Sequence, residues 1–318
     1  MFEIRRYTSS DKAQWDAFIA QSKNGTFLFF RNYMDYHADR FVDHSLMIYY
    51  KSSLYALLPA NVKGDTLYSH QGLTYGGLLM SDKCKTAEVR DAVRCVNDYL
   101  YENGIRRVVY KHIPWVYCGL PSEEDLFALT NVCQATVLYR DVASVVVLSD
   151  RLPFSTLRRR GMKKALTAGL QVKEQTVFEG FWHLLEDNLW NRFHARPVHS
   201  LTEIQLLHSR FPNNIRLFVV EKENELLGGT VLYVCGKTVK TQYISANEKG
   251  KQMHVLDLLF DQLLQKFADE GMSYFDFGTS NKDVNDDLND SLIFQKEGFG
   301  GRAVCYDTYE WKLQGTRQ

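Results

Sequence analysis

Five cations fall within seven residues: Arg158, Arg159, Arg160, Lys163 and Lys164. Ser155 or Thr156 is a fit N-cap and Gly169 a fit stop, so the spacing predicts a helix over 155–169. At about 100° per residue, 159, 160, 163 and 164 share one arc, while Leu157, Gly161, Ala165 and Ala168 fall opposite. Guanidinium forks match phosphate oxygens two at a time, so this segment suits a phosphate-bearing substrate; the alternative is a solvated face pairing with acidic neighbours. His194 and His199 lie five apart in a Pro-containing segment read as a loop. With no carboxylate or Cys at ligand spacing they predict no metal site, and a proton-transfer role stays open.

Several apparent motifs lack their partners. Asp276-Phe277-Gly278 stands without a His-Arg-Asp loop or a Gly-rich loop, and reads as the end of a strand. No Walker loop, dinucleotide glycine fingerprint or Gly-x-Ser-x-Gly elbow occurs.

The elements that would position these residues form an internal repeat. The first copy runs through strands at Leu46, Leu54 and Thr66, a helix from about Ala87 to Glu102, and a strand at Arg107. The second runs through strands at Leu217, Leu226 and Thr238, a helix from about His254 to Glu270, and a strand at Tyr274. Val89, Val93, Val96 and Leu100 make one helical stripe; Val255, Leu256, Leu259, Leu263, Leu264 and Phe267 make a wider one. A further helix is predicted over Phe178–Asn191. At 318 residues the chain exceeds a single ordinary core. Two similar α/β domains are expected, 1–150 and 151–318, the second opening with the basic helix.

Thirty-eight Lys and Arg balance 38 Asp and Glu, which argues against a surface that is a general nucleic-acid or membrane magnet. The N-terminus lacks the apolar core of a secretory signal, and no apolar stretch approaches bilayer length. Six cysteines form no Cys-x-x-Cys pair. The expectation is a cytoplasmic protein without membrane insertion.

The second copy resembles a GNAT-type acyltransferase domain, in which a splayed sheet accepts a thioester. The tandem order, the basic segment 157–165 running into Gly169-Leu-Gln-Val, and the terminal Phe294-Gln-Lys-Glu-Gly-Phe-Gly-Gly resemble the Fem-type aminoacyltransferases. These two-domain GNAT relatives add amino acids from aminoacyl-tRNA to peptidoglycan precursors; Fem-like acetyltransferase families share the motifs. The resemblance implies an α/β (α+β) fold of two tandem GNAT-like domains with mixed, mostly antiparallel sheets flanked by helices. It implies acyl-CoA or aminoacyl-tRNA as co-substrate, no tightly bound cofactor, and an amine on a small molecule or peptidoglycan precursor as acceptor. tRNA enters as a partner by the second route.

Residue by residue, the coenzyme A loop of GNAT enzymes falls on Asn247-Glu-Lys-Gly250-Lys-Gln252, where only the middle glycine matches. Lys249, Gly250 and Lys251 are the residues left to meet donor phosphates. The tyrosine that many GNAT enzymes use as acid is Phe294 here. Lys296 fills the Fem-type lysine position, where an ammonium would stabilise the developing oxyanion or the departing ribose oxygen; the alternative is an exposed cation near a helix C-terminus. Gln242 and Tyr243 would line the meeting point of donor and acceptor, with Asp276, Gly278 and Ser280 facing it; Asp276 reads equally as a structural strand-end carboxylate. Arg158, Arg159, Lys163 and Lys164 would hold phosphate. No long helical arm interrupts 169–215. The alternative function is a non-catalytic binding protein on a degenerate GNAT scaffold.

Overall fold

A computed structural model describes residues 1–281 and 288–315. The chain forms two compact units: residues 1–141 completed by the C-terminal stretch from Cys305, and residues 142–304. Unit 1 contains β1 (Phe2–Arg6), α1 (Lys12–Gln21), α2 (Arg31–Met34), β2 (Val42–Asp43), β3 (Leu46–Tyr50), β4 (Ser53–Leu58), β5 (Asn61–Lys63), β6 (Thr66–Tyr68) and β7 (Leu79–Met80). It continues with α3 (Thr86–Glu102), β8 (Arg107–Lys111) and α4 (Glu124–Asn131). Strand β9 (Thr136–Val147) leads into unit 2, which holds α5 (Thr156–Thr167), β10 (Gln171–Gln175), α6 (Glu179–Phe193), α7 (Leu201–Arg210), β11 (Ile215–Lys222), β12 (Glu225–Cys235) and β13 (Thr238–Ala246). Then come α8 (Glu248–Gln252), α9 (Val255–Asp269), β14 (Tyr274–Thr279) and α10 (Asp290–Gly298), and β15 (Arg302–Lys312) returns the chain to unit 1.

The repeat is present in detail. Both copies open with a two-residue hairpin whose turn residues lie in the left-handed region: Lys51 and Ser52 at φ +49° and +64°, Glu223 and Asn224 at +51° and +65°. That turn geometry matches the twist of an antiparallel pair. Each copy closes with a parallel pair, β6 with β8 and β13 with β14, joined by the long helix the apolar stripe predicts. In unit 2 the strands run β10-β11-β12-β13-β14-β9, antiparallel except for β13 and β14. Unit 1 divides the same strands between a four-stranded sheet, β1-β3-β4-β7, and the run β2-β5-β6-β8-β15.

The division at 150/151 is corrected at both ends. Thr308–Lys312 of β15 pair antiparallel with Arg107–Lys111, so the last strand belongs with the first 141 residues. Trp311 and Leu313 from this strand are buried in the core that receives Val89, Val96 and Leu100 of α3. On the arc of α5 opposite the cations, Gly161 and Ala165 are buried while Leu157 is 54% exposed.

The core of unit 2 is aromatic. Phe260, Phe267, Phe275, Phe277 and Phe299 are all buried, with the Phe260 and Phe277 rings 4.9 Å apart edge to face and Phe277 stacked on Phe299 at 5.6 Å. Emptying one such position forfeits both transfer and packing energy. Phe267→Ala should therefore lower the stability of unit 2 by about 3–5 kcal/mol in urea unfolding, and a loss below about 1 kcal/mol would show that α9 is not the core helix.

Candidate functional site

Strands β13 and β14 pair only at Thr238 with Tyr274, Val239 with Phe275, and Lys240 with Asp276. Past that point β13 continues along β12 to Ala246, while β14 follows β9 to Thr279. The two strands diverge, and a cavity of about 620 Å³ lies on the divergent side. Ile244, Ser245 and Ala246 line it from β13 and Phe277 from β14, with α5, α6, α8, α9 and α10 supplying the other walls. A register shift leaves Gln242 as the extra residue of a bulge, since Tyr243 pairs with Val231 and Thr241 with Leu232. Bulges re-aim side chains beside active sites.

Lys296 lines this cavity from α10 and is 5% exposed. Its Nζ donates to the carbonyl oxygens of Gly278 at 2.9 Å and Thr279 at 2.6 Å. An ammonium has three donors, so one remains for the cavity. Gly278 makes this seat possible: its φ of +72° suits glycine, and its N–H donates to Asp276 Oδ1 at 2.6 Å. Burial lowers the Lys296 pKa to about 8, with Asp276 opposing and Lys240 adding to the fall. Lys240 is itself buried and lowered by the same cause, with Asp276 again opposing. Asp276 thus sits between two lysines as their counter-charge. It is fully buried and is not among the residues that line the cavity, in keeping with the equal alternative of a structural strand-end carboxylate.

Arg158 points into the cavity, and its Nη1 donates to Asp257 Oδ1 at 2.9 Å. The guanidinium lies 4.9 Å from the Phe299 ring centre. Burial raises the Asp257 carboxyl, opposed by Arg158 and then by His254, whose Nδ1 lies 3.4 Å from Asp257 Oδ2. Arg159, Lys163 and Lys164 are exposed and do not line the cavity, so the basic segment splits between two faces. Pairing with acidic neighbours is absent for these three among the described residues.

The loop expected to meet donor phosphates is closed on itself. Gly250 N–H donates to Asn247 Oδ1 at 2.7 Å, and the amides of Lys251, Met253 and His254 bond to Asn247 O, Lys249 O and Lys251 O. Those donors are therefore used internally rather than opened around a pyrophosphate. Lys249 pairs with Glu225 and Lys251 with Glu248; of the two only Lys251 lines the cavity. Tyr243 lies off the cavity, its hydroxyl 2.6 Å from His199 Nδ1, and burial pushes its pKa up to about 12. Ser280 is buried with no partner for Oγ among the described residues, and Gln242 Oε1 accepts from Lys240 Nζ at 3.2 Å. Neither His194 nor His199 lines the cavity, and Phe294 is 65% exposed.

Sequence reasoning missed Asp257, His254, Asn188 and Arg192. Asn188 and Arg192 lie four apart on α6, one turn along one face, and Asn188 donates to Ser245 Oγ at 2.6 Å and Ala246 O at 2.8 Å. A glycine amid helical cations was the signal for the others. A Cβ on Gly161 would fall 1.9 Å from Asp257 Oδ2. Among the described lining residues, Arg158, Arg192, Lys251 and Lys296 face one carboxylate, Asp257.

Two outcomes follow from these pairs. A lysine held lower in the folded than in the unfolded chain binds fewer protons when folded, so the folded state gains stability as pH rises from about 8 towards 10.5. Wild type should gain on Lys296→Met across that window in denaturant titrations, and a flat difference would place the ammonium in solvent. Arg158→Ala should cost about 2–4 kcal/mol by stranding Asp257, and Arg158→Ala with Asp257→Asn should recover part of it.

Residues 155–284 match the acetyltransferase (GNAT) domain family. No curated protein matches the sequence significantly. The fold is similar to that of FemX, at a TM-score of 0.68 and 11% identity over 98% of this chain and 97% of that one. It is also similar to the C-terminal (DUF2156) domain of a protein assigned as a lysylphosphatidylglycerol synthetase from Agrobacterium fabrum, at 0.61 and 12% over 97% and 93%. A tandem GNAT protein from the clavulanic acid biosynthesis pathway matches at 0.50 and 8% over the whole of both chains. At these identities the likeness is one of fold. Residues 155–284 are therefore similar in sequence to the GNAT acetyltransferase domain family, and the described fold is similar to those of FemX and the tandem GNAT protein.

Proposed function

We propose that the chain is an N-acyltransferase that moves an aminoacyl group from an ester donor, aminoacyl-tRNA, onto an amine bound in the cavity beside β13 and β14. The seat of Lys296 carries this reading: two carbonyls fix the ammonium of a residue that lines the cavity. The amine nitrogen attacks the donor carbonyl, and the oxygen that gains negative charge meets the fixed ammonium without reorganisation. As the tetrahedral species collapses, the carbon–oxygen bond breaks and the leaving oxygen takes a proton. Arg158, Arg192 and Lys251 give the cavity an excess of positive charge suited to a phosphate-bearing substrate, such as a peptidoglycan precursor. The lysylphosphatidylglycerol synthetase name borne by one structural neighbour supports an aminoacyl rather than an acetyl donor. So does the segment at 247–254, where the amides of Gly250, Lys251, Met253 and His254 are bonded within the segment. That loop also favours a second reading, a binding protein without turnover.

Charged tRNA should shift the melting temperature of the protein in a salt-dependent manner, and acetyl-CoA at millimolar concentration should not; the reverse result overturns the choice of donor. Lys296→Ala should lower the transfer rate by about 10²–10³-fold. Because the working form is the ammonium, wild-type rate should fall as pH rises through about 8. Donor binding with no transfer to any amine would establish the second reading.

A further inference from the structure

A second chemical group faces the cavity, and nothing above uses it. His254 precedes α9 with φ +59°, a left-handed conformation uncommon for a residue other than glycine. Its Nδ1 lies 3.4 Å from Oδ2 of Asp257, one turn further on, and the carboxylate is in turn held by Arg158 at 2.9 Å through Oδ1. Gly161 on α5 leaves the room for this arrangement: a Cβ there would come within 1.9 Å of Asp257 Oδ2 and 2.9 Å of His254 Nδ1. A glycine in the interior of a helix is less stable there than alanine, so the clearance has a cost the fold bears. With Nδ1 turned to the carboxylate, Nε2 is the ring nitrogen left for the cavity, and no partner among the described residues engages it. The charged groups that line the cavity together with His254 are Asp257 on α9, Arg158 on α5, Lys251 on α8, Arg192 on α6 and Lys296 on α10.

We propose that His254, oriented by Asp257, is the base that takes the proton from the acceptor amine. The inference rests on the N-acyl-transfer reading and deepens it by assigning the acceptor to the α9 end of the cavity. Most amines are ammonium ions near neutral pH and carry no free pair for attack. Nε2 accepts one proton from R–NH₃⁺, and the freed nitrogen pair forms the bond to the donor carbonyl carbon. The carbonyl π pair moves to oxygen, facing Lys296. On collapse the bond to the donor oxygen breaks, that oxygen takes the second nitrogen proton, and His254 returns its proton to water. Imidazole is the side chain suited to this exchange near neutrality, and Asp257 fixes which nitrogen is free. Asp257 and Gly161 are positioning residues.

The test uses the full chain, a mixture of charged tRNAs as donor and two acceptors. Methylamine is protonated at neutral pH; hydroxylamine is not. His254→Gln should lose about 10²-fold in rate with methylamine and at least tenfold less than that with hydroxylamine, and raising the pH should narrow the gap. Equal losses with both amines, or no loss with methylamine, overturn the assignment of His254 while leaving the acyl-transfer reading standing. Wild type that transfers to neither amine, from charged tRNA or from acetyl-CoA, overturns that reading and the assignment with it. A measurement free of turnover accompanies these: ¹⁵N NMR of the His254 ring should show the proton on Nδ1 in wild type, and Gly161→Ala should change that tautomer population. A proton on Nε2 in wild type overturns the proposal.

Discussion

Beyond the pairing of Lys240 with Asp276, two parallel neighbours stop sharing hydrogen bonds, and the chemistry of unit 2 follows from how that gap is filled. A buried backbone that loses its ladder needs other partners. At the end of β14 the carbonyls of Gly278 and Thr279 find theirs in an ammonium brought by α10. One lysine therefore meets a backbone requirement and presents charge to a cavity. Its counter-charge, Asp276, is shared with Lys240 across the last paired rung, so the splay begins where the charges are densest.

The opposite wall is built by a second carboxylate. Asp257 draws Arg158 away from the exposed cations of α5 and into the cavity, where the guanidinium also covers the Phe299 ring. The aromatic core, the inward arginine and the lysine seat meet at Phe299, the residue that follows α10, three after Lys296. Core and site are thus not separable here, because Phe260, Phe277 and Phe299 pack the unit and line the cavity.

Much of the fold was legible because its signals are local. The stripes of α3 and α9, the cap at Ser155 and the repeated hairpins are written in contiguous residues. The Lys296 position was legible through a short motif. Other features depend on distant residues and could not be read. The return of β15 pairs Thr308 with Lys111, and nothing within either strand names the other. Helical spacing groups Leu157 with Gly161 and Ala165, but packing decides which residues of that arc are covered, and Gly161 is the one that lies against Asp257. Asp276 and Tyr243 were expected at the cleft from their strands; alternation along a strand gives two faces without saying which one borders a cavity.

The late strand bears on how the chain is made. Unit 2 is drawn from one contiguous stretch, residues 142–304. The first 141 residues emerge sooner, yet β8 keeps an open edge and α3 an incomplete floor until Trp311 and Leu313 arrive. Biogenesis therefore runs against the usual order, in which N-terminal domains finish first. The N-terminal unit thus keeps part of its apolar core uncovered until the stretch from Cys305 is made.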